Sequence, residues 1–203
     1  MRKYLFILPL LFFLLASCFE NKQQEQNKES SGTTELDAVK EKGITIATQM
    51  QQVLGGELKR AIEDSGVAHA LNYCNIHAYP LTDSIAALHN TTIKRVSHKA
   101  RNPNNQASEA ELQIIDNFKT TLEKGEAAQP VVTAHENGYT FFAPIVLQSP
   151  LCLKCHGEPE KEIASEDFIF INMLYPADSA TGFKLNDLRG IWRIDFNKTS
   201  PAL

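Results

Sequence analysis

The chain reads as an α+β domain, with helices packed on an antiparallel sheet. Three observations predict this. Apolar residues in the first half recur at spacings of three and four. The second half carries short β-branched and aromatic runs of alternating character. Between two of those runs stands Asn137-Gly138, the dipeptide that a two-residue hairpin turn favours.

The elements follow in order. Leu36, Val39, Met50, Val53, Leu54, Leu58 and Ile62 outline a first helix, weakened by Gly43 and Gly55-Gly56. A second spans 67–77 and ends before Pro80, since the residue preceding a proline is driven out of the helical region. A third spans 81–88. Ser108-Glu109-Ala110-Glu111 is a capping box that opens a helix with Leu112, Ile115, Phe118 and Leu122 on one face and Gly125 at its end. Strands are expected at 92–97, 131–135, 139–147 and 190–196, the last with Trp192, Ile194 and Phe196 on one side.

Residues 1–17 read Met1-Arg2-Lys3, an apolar run from Tyr4 to Ala16 broken by Pro9, then Ser17. A short positive start, an apolar stretch of this length and small residues before a cut describe a secretory signal peptide. Leu15-Ala16-Ser17-Cys18 resembles the bacterial lipobox, in which the cysteine is lipidated and becomes the first mature residue. The expected setting is therefore the bacterial cell envelope, with a lipid on Cys18 holding the protein to a membrane and facing the periplasm. Residues 18–35 are dominated by Glu, Gln, Lys, Asn and Ser; they bury too little apolar surface to fold and are expected to be a flexible polar tether. The remainder, 36–198, suits one domain with a full core. Formal net charge is −4 and becomes more negative once Arg2 and Lys3 leave with the leader, so no nucleic-acid partner is expected.

Cys152-Leu153-Lys154-Cys155-His156 carries the chemistry. Two cysteines two residues apart with a histidine directly after them form the attachment signature of a c-type haem. The thiols become thioethers and the adjacent imidazole is carried to the iron as axial ligand. A structural zinc would need four Cys or His ligands, and no second such cysteine pair exists. A redox dithiol expects a strand-to-helix context, whereas Leu147-Gln148-Ser149-Pro150 reads as a loop. One covalent haem c is the expected cofactor.

Four cysteines then leave one over. With Cys18 given to lipid and Cys152 and Cys155 to haem, Cys74 has no disulfide partner within the chain. Either it is a small apolar core residue or something soft, such as haem iron, holds it. His77 lies three residues on and would share its helix face, so either could supply a second axial ligand; Met50 and Met173 are weaker alternatives in apolar surroundings. Arg101, in Arg101-Asn102-Pro103-Asn104-Asn105, is a candidate partner for a haem propionate, since a guanidinium grips a carboxylate at two points. Phe141, Phe142, Ile145 and Leu147 are expected to supply apolar wall.

Taken together, the Cys74 segment followed by Pro80, the Arg101–Asn105 run, Cys152–His156 with Gly157, and the closing run Tyr175–Lys184 with Asp187-Leu188-Arg189-Gly190 resemble exported bacterial PAS-like domains that carry one c-type haem with cysteine and histidine as axial ligands. The resemblance implies a PAS-like antiparallel sheet flanked by helices, with a long N-terminal helix, and it implies Cys74 as the sixth ligand of the iron opposite His156. Two functional expectations follow. A haem with both axial positions filled by protein exchanges electrons and offers substrate no iron site, which predicts a redox carrier and not an enzyme. The alternative is a redox or gas sensor acting through a partner protein, in which loss of the soft ligand changes the fold.

Overall fold

The structure is a computed structural model that describes the backbone of residues 16–198 and the side chains of 35–198. The leader at 1–17 and the lipidation site Cys18 therefore fall outside the residues whose side chains are described. Two units divide the chain, Met1–Ala38 and Val39–Leu203; sheet, core and cavity belong to the second. Among the described residues no helix is long and apolar enough to cross a membrane.

Helix α1 spans Ala16–His89. Its backbone includes the polar segment expected to be a flexible tether, where Glu, Gln and Lys are all good helix formers. The helical path breaks once, at Ser65 and Gly66, where Gly66 has φ 82. Left-handed backbone of that kind costs glycine nothing and other residues a good deal. Pro80, expected to stop a helix, instead lies inside α1. Its missing N–H strips a bond from the carbonyl of Ile76, a residue on an exposed flank. The Thr82 hydroxyl then donates to the Ala78 carbonyl at 2.7 Å and the Ser84 hydroxyl to the Pro80 carbonyl at 2.8 Å, so the turns around the proline stay bonded.

Four strands follow: β1 Thr92–Val96, β2 Val131–His135, β3 Gly138–Val146 and β4 Leu188–Asn197. They form one antiparallel sheet in the order β1-β4-β3-β2. The β2–β3 hairpin forms as expected, but its two-residue loop is Glu136-Asn137, Gly138 being already the first residue of β3 and paired with His135. At φ 151, with the Phe196 carbonyl oxygen 1.9 Å from where a Cβ would stand, position 138 admits only glycine.

The period of two along β3 and β4 builds a core on each face. On one, Phe141, Trp192, Ile194 and Phe196 meet Val39, Ile46 and Met50 of α1. The backbones approach so closely there that a Cβ on Gly43 would lie 2.4 Å from the Phe141 ring. On the other, Phe142, Leu188 and Ile191 meet Ile115 and Phe118 of α2, Glu109–Glu123. Each large side chain buried in this way contributes about 1.5–3 kcal/mol. The capping box is formed: the Ser108 hydroxyl accepts from the Glu111 N–H at 3.4 Å, and the Glu111 carboxylate accepts from the Ser108 N–H at 2.8 Å. Two short helices follow, α3 Pro150–His156 and α4 Ser165–Leu174; neither was expected, and Pro150, read as part of a loop, opens the first. A four-stranded antiparallel sheet with a long N-terminal helix fits the PAS-like arrangement.

Candidate functional site

The cysteine–histidine motif folds as α3, for local reasons. Ser149 caps it, accepting from the Leu151 N–H at 3.2 Å, and Pro150 occupies a first-turn position where its missing N–H costs nothing. Gly157 ends it; a Cβ there would sit 2.6 Å from the side chain of Glu162 and 2.7 Å from the Leu153 carbonyl oxygen. One helical turn places Cys152 and Cys155 on a common face. Both are free thiols and both line one cavity of about 290 Å³. That cavity opens at the end of the sheet where β1 and β3 finish and β4 begins, with the second half of α1 against it.

His156 is oriented by the segment that follows α4. Its Nδ1 lies 2.8 Å from the carbonyl oxygen of Ala180, so Nδ1 is the donor and Nε2 keeps its lone pair. The same segment holds the motif's backbone, with Phe183 N–H donating to the His156 carbonyl at 2.9 Å and Gly182 N–H to that of Gly157 at 2.8 Å. Burial, then Arg189 and Arg101, push the His156 imidazole well below its usual value, outweighing the Ala180 carbonyl. A neutral ring with one nitrogen donating to a carbonyl and the other unprotonated is the form that ligates metal. The Arg189 Nε is 3.3 Å from Nδ1 and 3.5 Å from Nε2. Being almost equidistant, it lies on the flank of the ring and off the lone-pair axis of Nε2.

Cys74 reaches the same cavity from α1. Burial pushes its thiol up, with Arg95 and Arg101 pulling back; Cys155, more deeply set, is pushed up to about 11. The polypeptide by itself thus keeps both as thiols at neutral pH, and a thiolate at Cys74 requires the charge of a metal. His77, expected to share the face of Cys74, does not line the cavity. It is exposed and stacks on Tyr73 with ring centroids 4.4 Å apart. Met50 is fully buried in the core beneath β4 and Met173 is exposed on α4. Of the second-ligand alternatives, Cys74 is the one on the cavity wall.

Arg101 also lines the cavity, but it is heavily engaged. Its Nη2 donates to the Cys155 carbonyl at 2.6 Å, to Asp178 Oδ2 at 3.1 Å and to the Ala180 carbonyl at 3.3 Å. Its Nε is buried without a partner. Arg95 and Arg189 stand on the same wall and were not singled out by sequence reasoning. A signal for Arg95 existed: alternation along β1 puts it on the side of buried Ile93. The apolar wall includes Ile145 and Leu147 as expected; Phe141 and Phe142 instead fill the two faces of the sheet.

The donor set suits a haem. Two free thiols one turn apart, a neutral histidine with Nε2 unprotonated, a third cysteine on another helix and several guanidiniums surround one largely apolar cavity. Among the described residues no three His, Cys, Asp or Glu side chains converge as a compact metal site would require, so these donors are spread around a cavity.

Comparison with known proteins agrees with this geometry. A family model described as Tll0287-like matches residues 22–197. The crystal structure of the cyanobacterial heme-protein Tll0287 is similar at 25% sequence identity and a TM-score of 0.60, covering 79% of this chain and 96% of that one. No curated protein matches the chain.

Proposed function

From the premise that the chain belongs to the Tll0287-like family, one of whose structures is of a cyanobacterial haem protein, we propose that this protein binds one covalent haem c and works as an extracytoplasmic redox lipoprotein. One observation carries the reading: Cys74 from α1 and Cys152, Cys155 and His156 from α3 line a single cavity.

The residues divide the work. Cys152 and Cys155 would form the two thioethers, and α3 holds them at the spacing that attachment requires. His156 would ligate iron through Nε2, its ring angle fixed by the Ala180 carbonyl. Cys74 would be the second residue to hold the iron, as a thiolate stabilised by the metal's charge. Ile145, Leu147 and Leu151 keep water from the site. A haem so held supplies one-electron exchange between ferric and ferrous iron, at a potential set by the axial ligands and the polarity around them. With the iron held by two protein side chains, the haem would serve electron transfer and not turnover of a substrate.

A sensor acting through a redox or signalling partner is the second reading. What favours it is that Cys74 lies beyond the Ser65–Gly66 break on a different helix from His156, so release of Cys74 would free one element and not the other. The lipid anchor on Cys18 and the periplasmic location belong to the same proposal.

The test is covalency and position together. Acid-acetone extraction of the mature protein, isolated from cells that attach haem c, should leave all colour with the polypeptide, and Cys152→Ala with Cys155→Ala should abolish attachment. Mass analysis should find an acylated Cys18 as the first residue. Colour released into the solvent sinks the c-type assignment, and a mature chain starting elsewhere sinks the anchor.

A further inference from the structure

The cavity carries more positive charge than the protein neutralises. Arg95, Arg101 and Arg189 all line it. Arg101 is paired with Asp178 at 3.1 Å, the two side chains being only 12% and 2% exposed. Among the described residues no carboxylate forms an ion pair with Arg95 or Arg189, although Asp178 acts on Arg189 from farther off. Arg189 donates from Nη1 to the Ser97 hydroxyl at 2.9 Å and to the Lys99 carbonyl at 3.0 Å, both uncharged acceptors. Arg95 has no hydrogen-bond or ion-pair partner there. Its guanidinium faces the Trp192 ring, 5.9 Å from the centroid, and the groups that act on it electrostatically are Cys74, Tyr79 and Tyr175.

Leaving a guanidinium in low-dielectric surroundings without a counter-charge costs several kcal/mol, which buried charges in proteins avoid by pairing. Burial draws Arg95 down and draws Arg189 to about 9; a guanidinium in a protein stays a cation at neutral pH. Trp192 can lend Arg95 a cation–π contact, but its aromatic face bears no net charge. Among the described residues the cavity therefore has two cations without an ion-pair partner beside one ion pair.

We propose that Arg95 and Arg189 form the carboxylate subsite of this cavity and bind the two haem propionates, while Arg101 serves mainly as the clasp that ties the Cys155 carbonyl to Asp178. The inference rests on the haem reading above and deepens it: two guanidiniums without an ion-pair partner match two carboxylates in number and in sign. Arg95 can offer a two-point donor fork, a geometry lysine lacks, whereas Arg189, with Nη1 on Ser97 and Lys99 and Nε against His156, offers Nη2.

Resonance Raman spectroscopy of the purified ferric holoprotein tests this, because the propionate bending mode reports hydrogen bonding at those carboxylates. Arg95→Gln and Arg189→Gln should each shift that mode, and each should lower the midpoint potential through loss of a cation beside the haem. Arg95→Lys and Arg189→Lys, which keep the charge and lose the planar guanidinium, should shift the mode while moving the potential less. If the mode is unchanged in all four variants while the wild type carries covalent haem, the arginine assignment is overturned and the haem reading stands. If Arg95→Gln alters only the thiolate features of the electronic spectrum, Arg95 serves Cys74 and the subsite is likewise overturned. A wild type without covalent haem would show instead that the haem reading itself has failed, and the subsite with it.

Discussion

His156 Nδ1 donates to the carbonyl oxygen of Ala180 across 2.8 Å, and that carbonyl is itself held from two sides. The Arg101 Nη2 reaches it at 3.3 Å, and the Ala180 N–H is fixed by Asp178 Oδ1 at 2.8 Å. Ser179 adds two bonds to the Ala100 carbonyl, from its N–H at 3.0 Å and its hydroxyl at 2.9 Å. The imidazole is thus oriented by a loop whose shape depends on one buried carboxylate.

Asp178→Ala should therefore act at a distance. It removes the Ala180 N–H acceptor and leaves Arg101 with no carboxylate, and breaking a buried pair in this way costs about 3–5 kcal/mol. Urea denaturation should show the loss in midpoint, and any bound haem should show altered histidine ligation although no ligand has been changed. A variant as stable as wild type would mean the loop holds its shape without Asp178.

Glu111 gives a prediction with a pH signature. Burial pushes its carboxyl up, but hydrogen bonds from the Ser108 N–H and hydroxyl, with the Arg193 guanidinium 3.0 Å away, outweigh this and hold it below the ordinary 4.5. A depressed carboxyl stabilises the fold above its unfolded value and loses that contribution as pH falls through its folded one. Glu111→Ala should cost about 1–2 kcal/mol at pH 7 by removing a helix cap and a charged bond. The gap to wild type should narrow as pH falls below about 4.5. A gap independent of pH would show that packing alone accounts for the loss.

Much of this molecule is legible in its residues, and the failures have identifiable causes. The hairpin signalled by Asn137-Gly138, the capping box at Ser108 and the alternation of Trp192, Ile194 and Phe196 are local signals that survive in the tertiary structure, the hairpin loop lying one residue earlier at Glu136-Asn137. Pro80 misleads because its rule describes a preference that flanking turns can overcome. Cys74 and His77 cannot be separated by spacing alone. The inward stripe of Ala70, Leu71, Cys74 and Ala78 decides between them, while exposed Ile76 beside small, buried Ala78 masks that stripe in the sequence. Helix α4 escapes notice because Phe168 to Leu174 is apolar on nearly every side and shows no period. The cationic wall escapes because Arg95, Arg101 and Arg189 come from three separate segments, and their shared cavity exists only after folding.

Two glycines of α1 should respond in opposite directions to the same substitution. A methyl on Gly43 would lie 2.4 Å from two carbons of the Phe141 ring, which is itself fully buried and has nowhere to go. Gly43→Ala should cost about 1–3 kcal/mol through overpacking. At Gly56 nothing lies within 4 Å of the added carbon. Gly56→Ala should add about 0.5–1 kcal/mol by restricting the unfolded chain. Thermal melts of the two variants settle the matter, and equal shifts of the same sign would contradict the close approach of α1 to β3.

The second axial ligand gives the riskiest prediction. Cys74 lines the cavity and its thiol carries no disulfide, whereas His77 is exposed and packs on Tyr73. A thiolate donates more charge to iron than imidazole or thioether does, and so stabilises the ferric state. The oxidised holoprotein should show a low-spin thiolate-type paramagnetic resonance spectrum, with a midpoint potential well below that of His/Met cytochromes. Cys74→Ala should abolish that spectrum and open an axial position to small gases, while the covalent haem stays attached. His77→Ala should change neither, because its side chain is not on the cavity wall. If the ferric spectra of wild type and Cys74→Ala coincide, Cys74 is a wall residue only. A spectrum altered by His77→Ala would instead require the end of α1 to turn its exposed face inward when haem binds.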